Sequence, residues 1–156
     1  MAERARPTDL VLVVPWQFGI PFNRYYNGSA PWETIPNIAD HRVHRYDLFK
    51  TKMLSDHPID DMTEAIRATL GSGNRVWFVG GLNLPPPEKG PMLLPRAPVS
   101  RFKWDNRAYT AAWWQQLSVF AALHAGNIQL IHLPQRDSVH INELEQTSLA
   151  LVEGWH

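Results

Sequence analysis

Residues 9–15 read DLVLVVP, a short apolar run rich in valine that begins at Asp9 and ends at Pro15. A run of this kind is typical of a strand that is buried on both faces of a sheet. Two further apolar runs occur at residues 75–80 (RVWFVG) and 127–133 (NIQLIHL). We expect these three segments to form the parallel core of one sheet.

Helices are predicted between these strands. Residues 58–70 (PIDDMTEAIRATL) carry an apolar stripe, and residues 106–125 follow Asp105, a residue type suited to an N-cap. A shorter helix containing Pro21 should follow the first strand, and residues 148–153 should form a final antiparallel strand. The order predicts an α/β protein, a three-layer or open sandwich with a mainly parallel sheet and an antiparallel edge strand.

The length and composition restrict the classes of protein. A chain of 156 residues corresponds to one domain, which we assign to residues 9–156, with residues 1–8 as a disordered or cloning-derived tail. Equal numbers of acidic and basic residues argue against a nucleic-acid-binding protein. The absence of cysteine excludes thiol catalysis, thiolate metal sites and disulfides. Residues 108–135 lack charge, but their Gln, His and Asn residues favour a buried helix and strand over a membrane span.

A polar cluster at residues 40–47 (DHRVHRYD) is the main candidate for chemistry. Two His and two Asp residues could ligate a divalent metal, but two Arg residues lie among them and would pair with the carboxylates. His41 and His44 would point to opposite sides of an extended chain. The segment is thus a metal site, an ordered polar loop held by Arg–Asp pairs, or a contact to a ligand or partner.

An aromatic segment from Trp16 to Trp32 follows the first predicted strand. Ligands of open α/β sheets bind at the carboxyl ends of the strands, and aromatic rings with polar neighbours suit sugars. Plain packing of a short helix explains the same residues. The candidate ligand or partner surface from this segment and the polar cluster comprises Trp16, Arg24, Tyr25, Tyr26, Trp32, His41, His44 and Asp47.

The proline-rich connection at residues 82–105 contains apolar groups such as Met92 and Trp104. Long connections of this kind either act as lids and docking surfaces or fold back onto their own domain. The sequence contains neither a Walker lysine motif nor a nucleophile elbow. We therefore predict no catalytic residue, no metal and no cofactor for this chain.

Several strings together resemble a known family. They are DLVLVVPW, FNRYYNG, APWETIP, DHRVHRYD, GNRVWFVGG and LEQTSLALVEGW. The chain from Asp9 to Trp155 resembles the C-terminal soluble region of bacterial multi-spanning glycosyltransferases of the dolichyl-phosphate-mannose–protein mannosyltransferase type. The resemblance implies a periplasmic α/β domain of a larger inner-membrane protein that transfers sugar from a polyprenyl-phosphate donor. The catalytic acids of that family lie near its first membrane helices, so none carries over to this chain.

Three functions follow as expectations. The first is a non-catalytic accessory domain whose partners are its own membrane domain and a glycan or lipid-linked sugar. The second is a free-standing metal-assisted hydrolase that uses the polar cluster. The third is a carbohydrate-binding module with exposed, coplanar aromatic rings.

Overall fold

The computed structural model describes residues 4–99, 101–131 and 147–156. These residues form a mixed α/β structure with a five-stranded sheet and four α-helices, which confirms the predicted class at this level. The strands are β1 Leu10–Val13, β2 Trp32–Thr34, β3 Val76–Val79, β4 Asn127–Ile131 and β5 Leu149–Glu153. The helices are α1 Gly19–Tyr25, α2 Tyr46–Leu54, α3 Asp60–Gly71 and α4 Asn106–His124.

The sheet order is β2-β1-β3-β5-β4. β1 pairs in parallel with β2 and β3, whereas β5 is antiparallel to both β3 and β4. The antiparallel strand is therefore in the interior of the sheet, and its predicted edge position is wrong. β4, predicted as part of the parallel core, lies at an edge instead. The burial of the strands gives the reason, because β5 is apolar and buried over its first four residues whereas β4 exposes Asn127 and Gln129. Residues 132–133 of that predicted strand lie outside the described residues.

Two apolar clusters cover the two faces of the sheet. The first cluster joins alternate strand residues, such as Leu12 and Phe78, to the buried sides of α2, α3 and α4. The second cluster contains the other strand residues, such as Val13 and Trp77, with Phe18, Phe22, Tyr26 and Trp32 packed against them. Because side chains alternate between the two faces along a strand, the strands contribute residues to both clusters. This is expected for strands whose two faces are both covered.

The two long helices match the sequence prediction closely. α3 starts two residues later than expected and buries Met62, Ile66 and Leu70. Asp105 caps α4, accepting hydrogen bonds from the backbone N–H groups of Arg107 and Ala108. No helix in the described ranges is long and apolar enough to cross a membrane.

Two elements were not predicted. β2 has only three residues, too few for a hydrophobic pattern to identify a strand. α2 buries only Phe49 and Met53 along nine residues, so its sequence carries a weak helical stripe. Both elements lie in the region between the first strand and α3, where the sequence suggested loops.

The proline-rich connection folds back onto α4. The side chain of Gln115 accepts from Met92 N–H at 2.7 Å, and that of Gln116 donates to Met92 C=O at 2.7 Å. Trp114 Nε1 donates to Gly81 C=O at 3.0 Å, and the Ser118 hydroxyl accepts from Asn83 N–H. Polar side chains of α4 therefore hold the connection at Asn83 and Met92, so its described part folds back onto the domain.

A buried carboxylate ties the central strands together at their amino ends. Asp9 is fully buried and accepts hydrogen bonds from Arg75 Nη2 at 2.7 Å and Trp77 Nε1 at 3.0 Å, and from Arg6 N–H. Burial raises the pKa of Asp9, but these hydrogen bonds outweigh it, so the pKa lies below its ordinary value. Residues Arg4 and Ala5 of the expected tail also contact this region, through Arg75 and the second cluster.

We predict that Asp9→Asn lowers the free energy of unfolding by about 3–5 kcal/mol at neutral pH, because Arg75 is left buried beside a neutral side chain. Chemical denaturation measured by circular dichroism tests this value. Since the folded-state pKa of Asp9 is depressed, its contribution is present above about pH 3.9 and is lost as the pH falls through the folded-state value. The free energy of unfolding of the variant should therefore lack the part of the pH dependence that comes from protonation of Asp9.

Asp56→Asn is the matched control. Asp56 forms an ion pair with Arg96 at 3.1 Å in which both side chains are largely exposed. Such pairs contribute at most about 1 kcal/mol. Equal destabilisation by the two variants would contradict a structural role for the Asp9 network.

Candidate functional site

The candidate site lies at the carboxyl ends of β1, β2 and β3. β1 leads into a 3₁₀ turn at Trp16–Phe18 and then α1, and β2 leads into the loop before α2. Gly80 follows β3 with a φ of 115°, and a Cβ there would overlap the carbonyl oxygen of Val14. Glycine thus allows the ends of β1 and β3 to lie against each other. This edge is where open α/β sheets bind ligands.

Trp16 is buried, with 3% of its surface exposed. Its ring stacks on Phe49 at 5.2 Å between centroids and meets the edges of Tyr46 at 5.3 Å and His44 at 5.8 Å. The expectation that Trp16 offers an exposed face to a sugar is therefore wrong, because α2 supplies Phe49 and covers it. Sequence patterns did not identify α2 and so gave no sign of Tyr46 and Phe49 at this site.

Two buried polar atoms at this position have no hydrogen-bond partner within the described part of the chain. They are the indole donor Trp16 Nε1 and the amide acceptor Gln17 Oε1. Leaving a buried donor or acceptor without a partner costs about 1–3 kcal/mol. Native proteins satisfy almost all such groups, so a donor and an acceptor in successive residues at a strand end indicate a place where a ligand can bind.

Trp32 and His41 form the neighbouring part of the site. The indole of Trp32 lies between Phe22 at 4.9 Å and the imidazole of His41 at 4.3 Å. Burial lowers the pKa of His41, and the nearby Asp40 offsets this only in part, so the neutral imidazole is favoured. A Cβ at Gly19 would lie 2.7 Å from His41 Nδ1, so glycine there makes room for this packing.

The loop after β2 is shaped by backbone contacts and ion pairs. The Thr34 hydroxyl donates to Pro36 C=O at 2.7 Å and accepts from Ile38 N–H. Arg45 then bridges Asp40 at 3.0 Å and Asp47 at 2.6 Å. Arg45 lowers the pKa of Asp47 to about 2.

The polar cluster is therefore an ordered loop held by Arg–Asp pairs, one of the three expected alternatives. Its histidines diverge, since His41 packs on Trp32 and His44 packs on Trp16. Among the residues that the structure describes, no three His, Asp or Glu side chains are grouped to hold a metal ion. The geometry required by the metal-assisted hydrolase is not formed by these histidines.

The remaining candidates differ in exposure. Tyr26 is half-buried, stacks on Phe22 at 4.6 Å and donates to Ala30 C=O at 3.2 Å, so it belongs to the second cluster. Tyr25 is 75% exposed, and the guanidinium of Arg24 lies 5.7 Å from its ring. Tyr46 and His44 are exposed beside the buried Trp16. The site thus combines an unpaired donor and acceptor with exposed aromatic rings, an arrangement suited to binding an uncharged polar ligand.

We predict that Arg45→Ala raises the pKa of Asp47 from about 2 toward its ordinary value near 3.8, because Arg45 holds the carboxylate in its charged form. Titration of the Asp47 carboxyl carbon by NMR measures this change. Arg42→Ala is the control, since Arg42 contacts Asp40 and not Asp47 in the pairs described. An unchanged pKa of Asp47 in the Arg45 variant would show that the pair does not form in solution.

Comparison with protein families, with curated proteins and with solved structures finds no match to this chain.

Proposed function

We propose that this chain is a non-catalytic accessory domain of a membrane-bound, polyprenyl-phosphate-sugar-dependent glycosyltransferase, and that the carboxyl edge of its sheet binds a sugar of the acceptor. The observation that carries the binding part is the unpaired donor–acceptor pair, Trp16 Nε1 and Gln17 Oε1. The family strings support the glycosyltransferase part and the periplasmic location. We also propose that the fold is a three-layer sandwich, in which the two apolar clusters form the contacts between the sheet and the layer on each of its faces.

A sugar hydroxyl matches the chemistry of this pair. A hydroxyl donates one hydrogen bond and accepts two, so the hydroxyls of a sugar can supply an acceptor for the indole N–H and a donor for the amide oxygen. Its C–H faces pack well on aromatic rings, and Tyr46 and His44 present such rings beside Trp16. The favoured neutral form of His41 suits an uncharged ligand better than an anion.

A free-standing carbohydrate-binding module is the second candidate. The same donor–acceptor pair supports it, and the two candidates differ only in whether a membrane domain belongs to the same protein. The expected platform of exposed coplanar rings is not provided by Trp16, which is buried, or by Trp32, whose ring lies between Phe22 and His41. Recognition by a recessed hydrogen-bonding pair therefore fits the geometry better than stacking on a flat surface.

We predict that millimolar hexoses shift the indole N–H signal of Trp16 in an NMR titration, because that donor gains an acceptor on binding. The titration uses glucose, mannose, galactose and N-acetylglucosamine, and the signals of the seven tryptophans are recorded together. Gln17→Leu removes the acceptor and should weaken binding about fivefold, the equivalent of one hydrogen bond.

Trp104→Phe is the control for this experiment. The Trp104 ring lies by Lys50 of α2, and none of the described ring contacts joins it to Trp16, Trp32, His41 or His44, so its replacement should leave sugar affinity unchanged. The binding proposal fails if no sugar moves the Trp16 signal. It also fails if Gln17→Leu and Trp104→Phe have the same effect.

We predict that the native reading frame around residue 1 also encodes membrane-spanning segments. Sequencing the genomic region and detecting the corresponding peptides in membrane fractions by mass spectrometry test this. A native protein that consists of this domain alone would contradict the glycosyltransferase proposal. The carbohydrate-binding module would then remain as the candidate function.

A further inference from the structure

A second surface, formed by α2 and the end of the proline-rich connection, combines cations with exposed apolar side chains. We call it the basic aromatic patch and define it by Lys50 and Leu54 of α2 and by Arg101, Phe102, Lys103 and Trp104 of the following connection. Lys50 and Leu54 are one helical turn apart and so lie on the same side of α2. The Lys50 ammonium lies 5.3 Å from the Trp104 ring, which joins the helix to the connection.

The patch is held in place by contacts with the core. Ala97 N–H donates to Met53 C=O at 2.9 Å, so the connection meets the last turn of α2. Phe102 packs against the first apolar cluster, and the guanidinium of Arg101 lies 4.7 Å from its ring. Asp105 N–H donates to Phe102 C=O at 2.8 Å and closes the turn just before α4. Trp104 and its neighbouring cations are thus carried on a fixed turn.

The exposed atoms of the patch are apolar and positively charged. Leu54 is 48% exposed and Trp104 is 42% exposed, and Lys50, Arg101 and Lys103 are all exposed. Asp47 pairs with Arg45, whereas Asp105 caps α4 through backbone N–H groups and keeps its negative charge beside Trp104. The patch therefore has three cations against one neighbouring carboxylate, although the chain as a whole has no net charge.

We propose that the basic aromatic patch docks on the surface of an anionic phospholipid bilayer. Indole rings are favoured at the boundary between headgroups and acyl chains, and Lys and Arg side chains extend from there to the phosphates. Leu54 adds an aliphatic contact that a bilayer accommodates. A nucleic acid would use the cations but would leave this aliphatic group without a partner.

The proposal is independent of the sugar site. It concerns the orientation of the domain against a membrane and holds whether or not Trp16 binds a ligand. Each cation near an anionic membrane surface strengthens binding about fivefold, so three cations offset by one carboxylate should give about a 25-fold preference for anionic over neutral lipid at low salt. The preference should fall as ionic strength rises, because the charges are exposed.

Vesicle co-sedimentation of the full chain tests the proposal. Vesicles of equal parts phosphatidylglycerol and phosphatidylcholine should bind the protein, and vesicles of phosphatidylcholine alone should not. The double variant Lys50→Gln, Lys103→Gly should bind the anionic vesicles about 25-fold more weakly, the expected loss for two cations. Lys103 has a φ of 46°, which favours glycine, so this substitution removes the charge without straining the turn.

Two further variants decide whether the patch itself is responsible. Trp104→Ala should weaken binding to anionic vesicles while leaving the melting temperature close to that of the wild type, because the ring is partly exposed. Lys89→Gln removes an exposed cation outside the patch and should leave binding unchanged. Equal binding to the two vesicle types, or equal loss with Lys89→Gln, would overturn the proposal. Tight binding of duplex DNA that the double variant abolishes, with vesicle binding unaffected, would assign the patch to nucleic acid instead.

Discussion

The carboxylate of Asp9 is the constraint on which the sheet depends. A fully buried charge is tolerated only when donors surround it, and here they come from Arg75, Trp77 and the backbone before β1. These contacts fix the β1–β3 register at one end, where Leu10 pairs with Val76. In the same register, Val14 N–H donates to Val79 C=O at the other end. The two strands therefore end at the same height, where the candidate site begins.

The candidate site is built from residues that also form the core. Trp16 belongs to the first apolar cluster through its ring, but its indole N–H has no hydrogen-bond partner among the described residues. The loop after β2 is shaped by Thr34 and by the ion pairs of Arg45, so the histidines are held by packing against tryptophans rather than against each other. Packing thus explains why this region is rich in aromatic residues. It does not explain why Trp16 Nε1 and Gln17 Oε1 have no hydrogen-bond partner among the described residues.

Helix α4 holds the irregular proline-rich connection against the domain through side chains that carry no charge. Its glutamines, with Trp114 and Ser118, bind the backbone of the proline-rich connection and hold it against the domain. The end of that connection then projects Trp104 beside Lys50 of α2. Contacts between α4 and the otherwise irregular connection therefore hold the basic aromatic patch in place. This patch differs in charge from the polar site at the strand ends.

Features that depend on local pattern could be predicted from neighbouring residues: the buried runs at β1 and β3, the stripe of α3 and the Asp105 cap of α4. The Arg–Asp pairs of the polar loop were one of three alternatives that neighbouring residues left open. Only the tertiary structure decided that β5 enters between β3 and β4, because strand order depends on contacts between distant segments. It also decided that Trp16 is buried, since the covering Phe49 lies on α2, whose two buried residues give too weak a pattern to predict.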